Sequence, residues 1–204
     1  MMYTLIIGLL GYYLLLKRQP TRDYNISPIV YSGQQKQQRI QNTMVYADLI
    51  LQIGNKYKID PAAIASIIAT ESEGIACSYN KRSYDTYIGL MQIGYKTAQG
   101  QGYMGLPYSK LECPPLTGLF LPEVNIEYGT KYFQYQYLKY KSLPSAVSAY
   151  QLGSARFNSQ GVFVNMGYVK TVLDFVPNFR DAFRAKQLSY DILYPDTFWN
   201  FTVA

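Results

Sequence analysis

The sequence predicts a mainly α-helical domain carried behind an uncharged hydrophobic N-terminal segment. Three observations point there. Apolar residues recur at three- and four-residue spacing over several stretches, prolines and glycines sit where helices begin and end, and no long β-alternation or internal repeat interrupts the pattern. A chain of 204 residues is long enough for one domain with a sizeable core plus an appendage.

Residues 1–16, MMYTLIIGLLGYYLLL, carry no charge and end at Lys17 and Arg18, with Pro20 just beyond. As a helix they would span about 24 Å, slightly short of a ~30 Å hydrocarbon core. A secretory signal peptide would show a basic start and a small-residue cleavage site, and neither is present. A transmembrane anchor is therefore expected ahead of a signal peptide or a buried core helix. The positive charges follow the apolar run, and by the positive-inside tendency they would hold the rest of the chain in the cytoplasm. Residues 17–42 are polar, rich in glutamine and interrupted by two prolines, which predicts a linker or surface arm.

The expected domain runs from 43 to 177, with 178–204 as a C-terminal extension that starts helical and ends in an aromatic strip. In TMVYADLILQIGNKYK, Val45, Leu49 and Ile53 are four residues apart and predict an amphipathic helix that Gly54 weakens near its end. Asp60 and Pro61 give the clearest helix start, a capping oxygen followed by a residue whose missing N–H costs nothing there. Ile64, Ile67, Ile68 and Glu71 then share one helical face. Further helices are expected over 123–140 after Pro122, over 145–151 after Pro144 with Gly153 at the end, and over 167–175.

Composition narrows the chemistry. The formal charge is +6, which favours an anionic partner, but there is no long Lys/Arg cluster, zinc-finger spacing or RNA-binding aromatic signature, so nucleic acid is not expected. Histidine is absent, which excludes Ser-His-Asp and Cys-His catalysis and histidine-liganded metals. Cys77 and Cys113 are too few for a zinc site and are compatible with one disulfide or with two inert core thiols.

Glu71 turns this reading toward function. An ionised carboxylate on an apolar stripe is costly, so the group either finds a partner or holds its proton near neutrality. A protonated carboxyl in an apolar cleft is what a general acid needs to cleave a glycosidic bond. Glu73 lies about 200° further round the same helix and is expected to face solvent. Downstream, YIGLMQIG places the amide of Gln92 inside an apolar run, and SAYQLG follows at 148–153.

ATESEG, YIGLMQIG and AYQLG, in this order and at roughly this spacing, resemble the soluble-lytic-transglycosylase-like (SLT) and goose-type lysozyme families over about residues 43–175. The resemblance implies a mainly α, lysozyme-like domain that cleaves the β-1,4 bond between N-acetylmuramic acid and N-acetylglucosamine in peptidoglycan, with no metal or organic cofactor. It implies Glu71 as the acid and Ser72 as a serine bordering the cleft. Gly89, Leu90, Met91 and Gln92 would form its floor, and Tyr150 and Tyr168 would line it. Gln151 stands where the family usually has asparagine, so a substrate contact there carries over weakly. Goose-type lysozymes commonly have an aspartate shortly after GLMQ; here the position is Gly94, and the nearest upstream carboxylate is Asp85. Lacking an obvious second carboxylate, the chain is expected to be a lytic transglycosylase rather than a hydrolase.

An anchor without a secretion signal, joined to a wall-cutting domain, fits a bacteriophage particle that opens the host wall locally during entry, with virion or envelope proteins as partners. The alternatives are a bacterial membrane-bound transglycosylase of a secretion or conjugation system, and a structural virion membrane protein with a non-catalytic lysozyme-like domain.

Overall fold

A computed structural model describes residues 31–187 and 190–194. Its helices are α1 (Gly33–Met44), α2 (Ala47–Tyr57), α3 (Pro61–Glu71), α4 (Tyr95–Gly100), α5 (Pro122–Tyr140), α6 (Leu143–Leu152), α7 (Met166–Lys186) and α8 (Tyr190–Leu193). Between α3 and α4 lies a small antiparallel sheet of β1 (Tyr79–Lys81), β2 (Thr86–Ile88) and β3 (Ile93–Gly94), in that order.

Helix α3 is the centre of the molecule. Every residue from Pro61 to Ala69 is buried, so its apolar character runs round the whole cylinder rather than along one stripe. Four alanines and Ser66, whose hydroxyl donates to the Ala62 carbonyl at 2.6 Å, keep the helix slim. It packs against α1, α2 and α7, and Ile50, Ile64, Ile67, Ile68, Phe175 and Phe179 form part of the shared core. A smaller core of Ile88, Ile93, Ala98, Tyr103, Leu119 and Phe120 lies around the sheet.

The helix starts as its sequence predicts. Asp60 Oδ1 accepts from the Ala62 N–H at 2.8 Å, with Pro61 in the first turn. The same carboxylate accepts from the Tyr190 hydroxyl and from Arg180 Nε at 3.2 Å, and Arg180 Nη2 donates to the Tyr194 carbonyl. The segment from Arg180 to Tyr194 is thereby tied to the start of the central helix by a buried ion pair.

Three expectations are corrected. The polar stretch 17–42 is not wholly a linker: Gly33–Asn42 belongs to α1, which opens with a capping box between Ser32 and Gln35. Its inner side meets the core through Ile40, while Tyr31, just before it, packs on Phe175. The helix expected from Thr43 is interrupted at Val45 and Tyr46, which leaves Val45 78% exposed and makes Ala47, Ile50, Ile53 and Gly54 the buried face of α2. Helix α7 runs well beyond the stretch expected over 167–175. A proline inside a helix removes a backbone hydrogen bond and commonly ends it, but burial of Phe179 and Phe183 carries α7 past Pro177 to Lys186. The helices expected at 123–140 and 145–151 are present within a residue or two, and Gly153 ends α6.

Among the described residues no helix is long and apolar enough to cross a membrane. The anchor expected over 1–16, and most of the aromatic strip beyond Tyr194, lie outside the described residues.

Removing one member of a buried ion pair strands the other, which typically costs about 3–5 kcal/mol. Arg180→Ala should therefore lower the unfolding free energy by that order in urea titration; a loss under about 1 kcal/mol would show that the pair does not hold α7 to the start of α3.

Candidate active site

YIGLMQIG is a tight hairpin rather than a plain apolar run. Tyr87 pairs with Gly94 and Ile88 with Ile93, and Gly89–Gln92 make the turn, closed by the Gln92 N–H donating to the Gly89 carbonyl at 3.2 Å. Gly89 has φ +72°, and a Cβ there would lie 2.3 Å from Asn125 Nδ2, so both conformation and space require glycine. Leu90 and Met91 point into the helical core and are fully buried.

Asn125, on α5, holds this turn from behind. Its Oδ1 accepts from the Met91 N–H at 2.7 Å, and its Nδ2 donates to the Ile88 and Leu119 carbonyls, each at 2.7 Å. Ser72 holds it from α3, its hydroxyl donating to the Leu90 carbonyl at 2.7 Å. Tyr150 holds it from α6, donating to the Met91 carbonyl at 2.8 Å. Gln92, in the left-handed region at φ 45°, spends its side-chain NH2 on the Ser78 and Gly89 carbonyls. Those acceptors fix which end of the amide faces inward, leaving its carbonyl oxygen as the group it can offer a ligand.

In front of this turn lies a cleft of about 660 Å³, a size suited to a small ligand or a segment of a polymer. Glu71, Gln92, Tyr150, Gln151 and Tyr168 line it. Ser72, Gly89, Leu90 and Met91 do not; they form the layer behind the wall, a correction to their expected place at its surface. Asn80, Arg82, Tyr84 and Tyr87 from the first two strands and the loop between them, with Tyr132, Arg156 and Asn165, also line it and were not singled out by sequence. Asn165 carried one local signal, an amide residue ahead of a helix, but nothing in its neighbourhood marks a cleft.

Glu71 ends α3. The cleft opens onto it, so the residue is half-buried, while protein surrounds its carboxyl. Burial raises its pKa from 4.5 to about 7, against the smaller downward pulls of the Tyr168 hydrogen bond and the Arg82 charge. Its place at the negative end of a helix works in the same direction as burial. The Tyr168 hydroxyl donates to Glu71 Oε1 at 2.6 Å. Burial and the neighbouring carboxyl hold the Tyr168 phenol well above its ordinary pKa, so it remains a donor. Glu73 points away from the cleft and pairs with Arg39 at 2.6 Å.

Asp85 is not part of the lining. Its Oδ1 accepts from the Thr86 and Lys96 N–H groups, and a Cβ on Gly94 would meet Asp85 Oδ2 at 2.5 Å. The space beside Gly94 is thus taken by a carboxylate that braces the β2–α4 region. Cys77 and Cys113 form a disulfide that ties the strand region to the loop before α5, deciding between the two alternatives that sequence left open.

The family model for the transglycosylase SLT domain matches residues 48–162, over half of the chain and all of the hairpin, α3 and α6. The chain belongs to the transglycosylase SLT domain family. It is 31% identical over 143 residues to membrane-bound lytic murein transglycosylase E of Buchnera aphidicola subsp. Acyrthosiphon pisum (strain APS), a match covering 69% of this chain and 62% of that protein. Two solved structures share the fold. One is an inactive glutamate-to-glutamine mutant of lytic transglycosylase Slt from Pseudomonas aeruginosa, with a TM-score of 0.53 and 19% identity, covering 71% of this chain and 25% of that one. The other is the 70-kDa soluble lytic transglycosylase in complex with bulgecin A, with a TM-score of 0.53 and 24% identity, covering 78% and 27%. This chain therefore spans under two thirds of the length of each of these proteins.

The raised pKa of Glu71 has a consequence for stability. A carboxyl that titrates at about 7 when folded and near 4.5 when unfolded binds its proton more tightly in the folded state. Its contribution is fully present below pH 4.5 and is lost as pH rises through 7. Glu71→Gln removes the loss while keeping an oxygen for Tyr168, so at pH 8 the variant should be more stable than the parent, by up to about 3 kcal/mol, with little difference at pH 4. Equal stabilities across that range in denaturant titrations would mean that the carboxyl is not desolvated.

Proposed function

We propose that this chain is a peptidoglycan lytic transglycosylase in which Glu71 is both acid and base. The observation that carries the reading is that Glu71 is the sole carboxylic acid among the described residues lining the cleft, and it holds its proton close to neutrality. A two-carboxylate hydrolase needs a second acid across the cleft to activate water. Here the neighbours of Glu71 are a phenol, amides and guanidinium groups.

Tyr168 donates to Oε1, so the transferable proton sits on Oε2. Glu71 gives that proton to the glycosidic oxygen between N-acetylmuramic acid and N-acetylglucosamine as the bond to C1 breaks. The carboxylate left behind is stabilised by the Tyr168 hydrogen bond and the Arg82 charge, the two influences that lower its pKa. It then takes the proton of the muramic acid 6-hydroxyl as that oxygen closes onto C1, giving a 1,6-anhydro end and restoring the acid. The sugar's acetamido group assists at C1, the substrate-assisted exception to the two-carboxylate rule. The relatives support this reading, since each is named a lytic transglycosylase and one is inactive as a glutamate-to-glutamine mutant.

We further propose that residues 1–16 tether the domain to a membrane and that the disulfide places the domain in an oxidising compartment, where such bonds persist. A phage particle that opens the wall during entry joins these two features, and detection of the chain in purified particles tests that setting.

Glu71→Gln should reduce peptidoglycan clearing by about a thousandfold without loss of the folded state, and the parent's rate should fall as pH rises past about 7. Mass spectrometry of the parent's products should show anhydromuramic ends. Reducing ends alone would assign a hydrolase, and an active Glu71→Gln variant would remove Glu71 from the chemistry.

A further inference from the structure

Helix α7 opens at Asn165, a residue type that at this position ordinarily accepts a backbone N–H of the first turn. Here its side chain makes no capping bond. It is 97% buried at the edge of the cleft and turns toward α6. The Ser148 hydroxyl donates to Asn165 Oδ1 at 2.6 Å, and Asn165 Nδ2 donates to the Ser148 carbonyl at 3.2 Å and to Gln151 Oε1 at 2.9 Å.

The direction of this chain of bonds is fixed. The Ser148 backbone carbonyl can only accept, so the amide nitrogen of Asn165 must face it, and the same nitrogen then faces Gln151. Gln151 must present its oxygen to Asn165. Its Nε2 makes no hydrogen bond to any described residue, and Gln151 is exposed where it lines the cleft next to Tyr150. An otherwise freely rotating amide is thereby held by its oxygen, with both donors of its NH2 unspent among the described residues. Gln151 has the length to meet Asn165 across the gap between α6 and α7 while remaining in the cleft.

We propose that Asn165 is a positioning residue that locks Gln151 as a hydrogen-bond donor to the glycan, and that the group recognised is a carbonyl acceptor, the 2-acetamido oxygen of a sugar other than the one whose acetamido group assists at C1. This rests on the transglycosylase reading of the same cleft. The contact is made alike in the bound and reacting states, so it sets binding rather than the chemical step.

The test uses the full chain and soluble uncross-linked strands of alternating N-acetylglucosamine and N-acetylmuramic acid. Gln151→Met, at an exposed position, should raise KM about tenfold with kcat within a factor of about two, the pattern of a lost ground-state contact. Asn165→Asp puts an oxygen where Nδ2 was, so Gln151 turns its NH2 away from the cleft, and KM should rise by a similar factor. In a Gln151→Met background, Asn165→Asp should add nothing, because its effect passes through Gln151. A structural role for Asn165 alone would instead lower kcat and melting temperature and persist in that background. An unchanged KM for Gln151→Met overturns the proposal even if Asn165→Asp fails to fold, and additive effects of the pair overturn it where both variants fold. Failure of the parent to release anhydro products would instead overturn the transglycosylase reading.

Discussion

Everything in the cleft depends on the cost of placing a carboxyl at the end of a helix that has no exposed side. Helix α3 is buried from Pro61 to Ala69, and the side chain that ends it cannot reach open water except through the cleft. Desolvation therefore outweighs the two favourable contacts, the Tyr168 hydroxyl and the more distant Arg82 charge, and the group stays protonated to about pH 7. Had Glu71 been paired directly with a cation, it would be an ordinary buried ion pair and a poor acid. The phenol is a better neighbour for this purpose. It supports the charged form when that form appears without holding the group permanently in it.

A second constraint keeps the hairpin in front of that carboxyl. The turn Gly89–Gln92 would be a strained excursion by itself, with two residues at positive φ. It persists because α3, α5 and α6 each supply one side chain to its backbone, namely Ser72, Asn125 and Tyr150. All of those bonds are to main-chain atoms, so they fix position whatever side chains the turn carries. The buried pair of Asp60 and Arg180 serves the other end of α3 in the same way, joining the C-terminal helices to the helix that carries the acid.

The parts legible in sequence are those whose physics is local. Asp60–Pro61 announces a helix start because the capping oxygen and the missing N–H act within one turn. Glu71 stands out because it breaks an apolar pattern over seven residues. The parts that were not legible depend on distant partners. Gln92 was recognisable as an anomaly, but its amide braces Ser78, fourteen residues away in sequence, instead of offering its donors to a ligand. Asn125 acts on Met91 across 34 residues and looks like any polar residue in a helix. Asn165 and Gln151 meet only because α6 and α7 are neighbours in space. The polar, glutamine-rich stretch before Thr43 misled for a related reason: α1 is held by a capping box and by contacts with the distant helix α7, through Tyr31 on Phe175 and Lys36 with Asp174 at 2.8 Å.

The claim on which the rest stands is that a desolvated Glu71 carries its proton at the pH where it must give it up. Carbon-13 detected NMR of the side-chain carboxyls, with Glu71→Gln used to assign the signal, reads that protonation directly. A titration midpoint near 7 is the expected result. A midpoint near the ordinary value of 4.5 would contradict the account, because the carboxyl would then be ionised at neutrality and have no proton to donate.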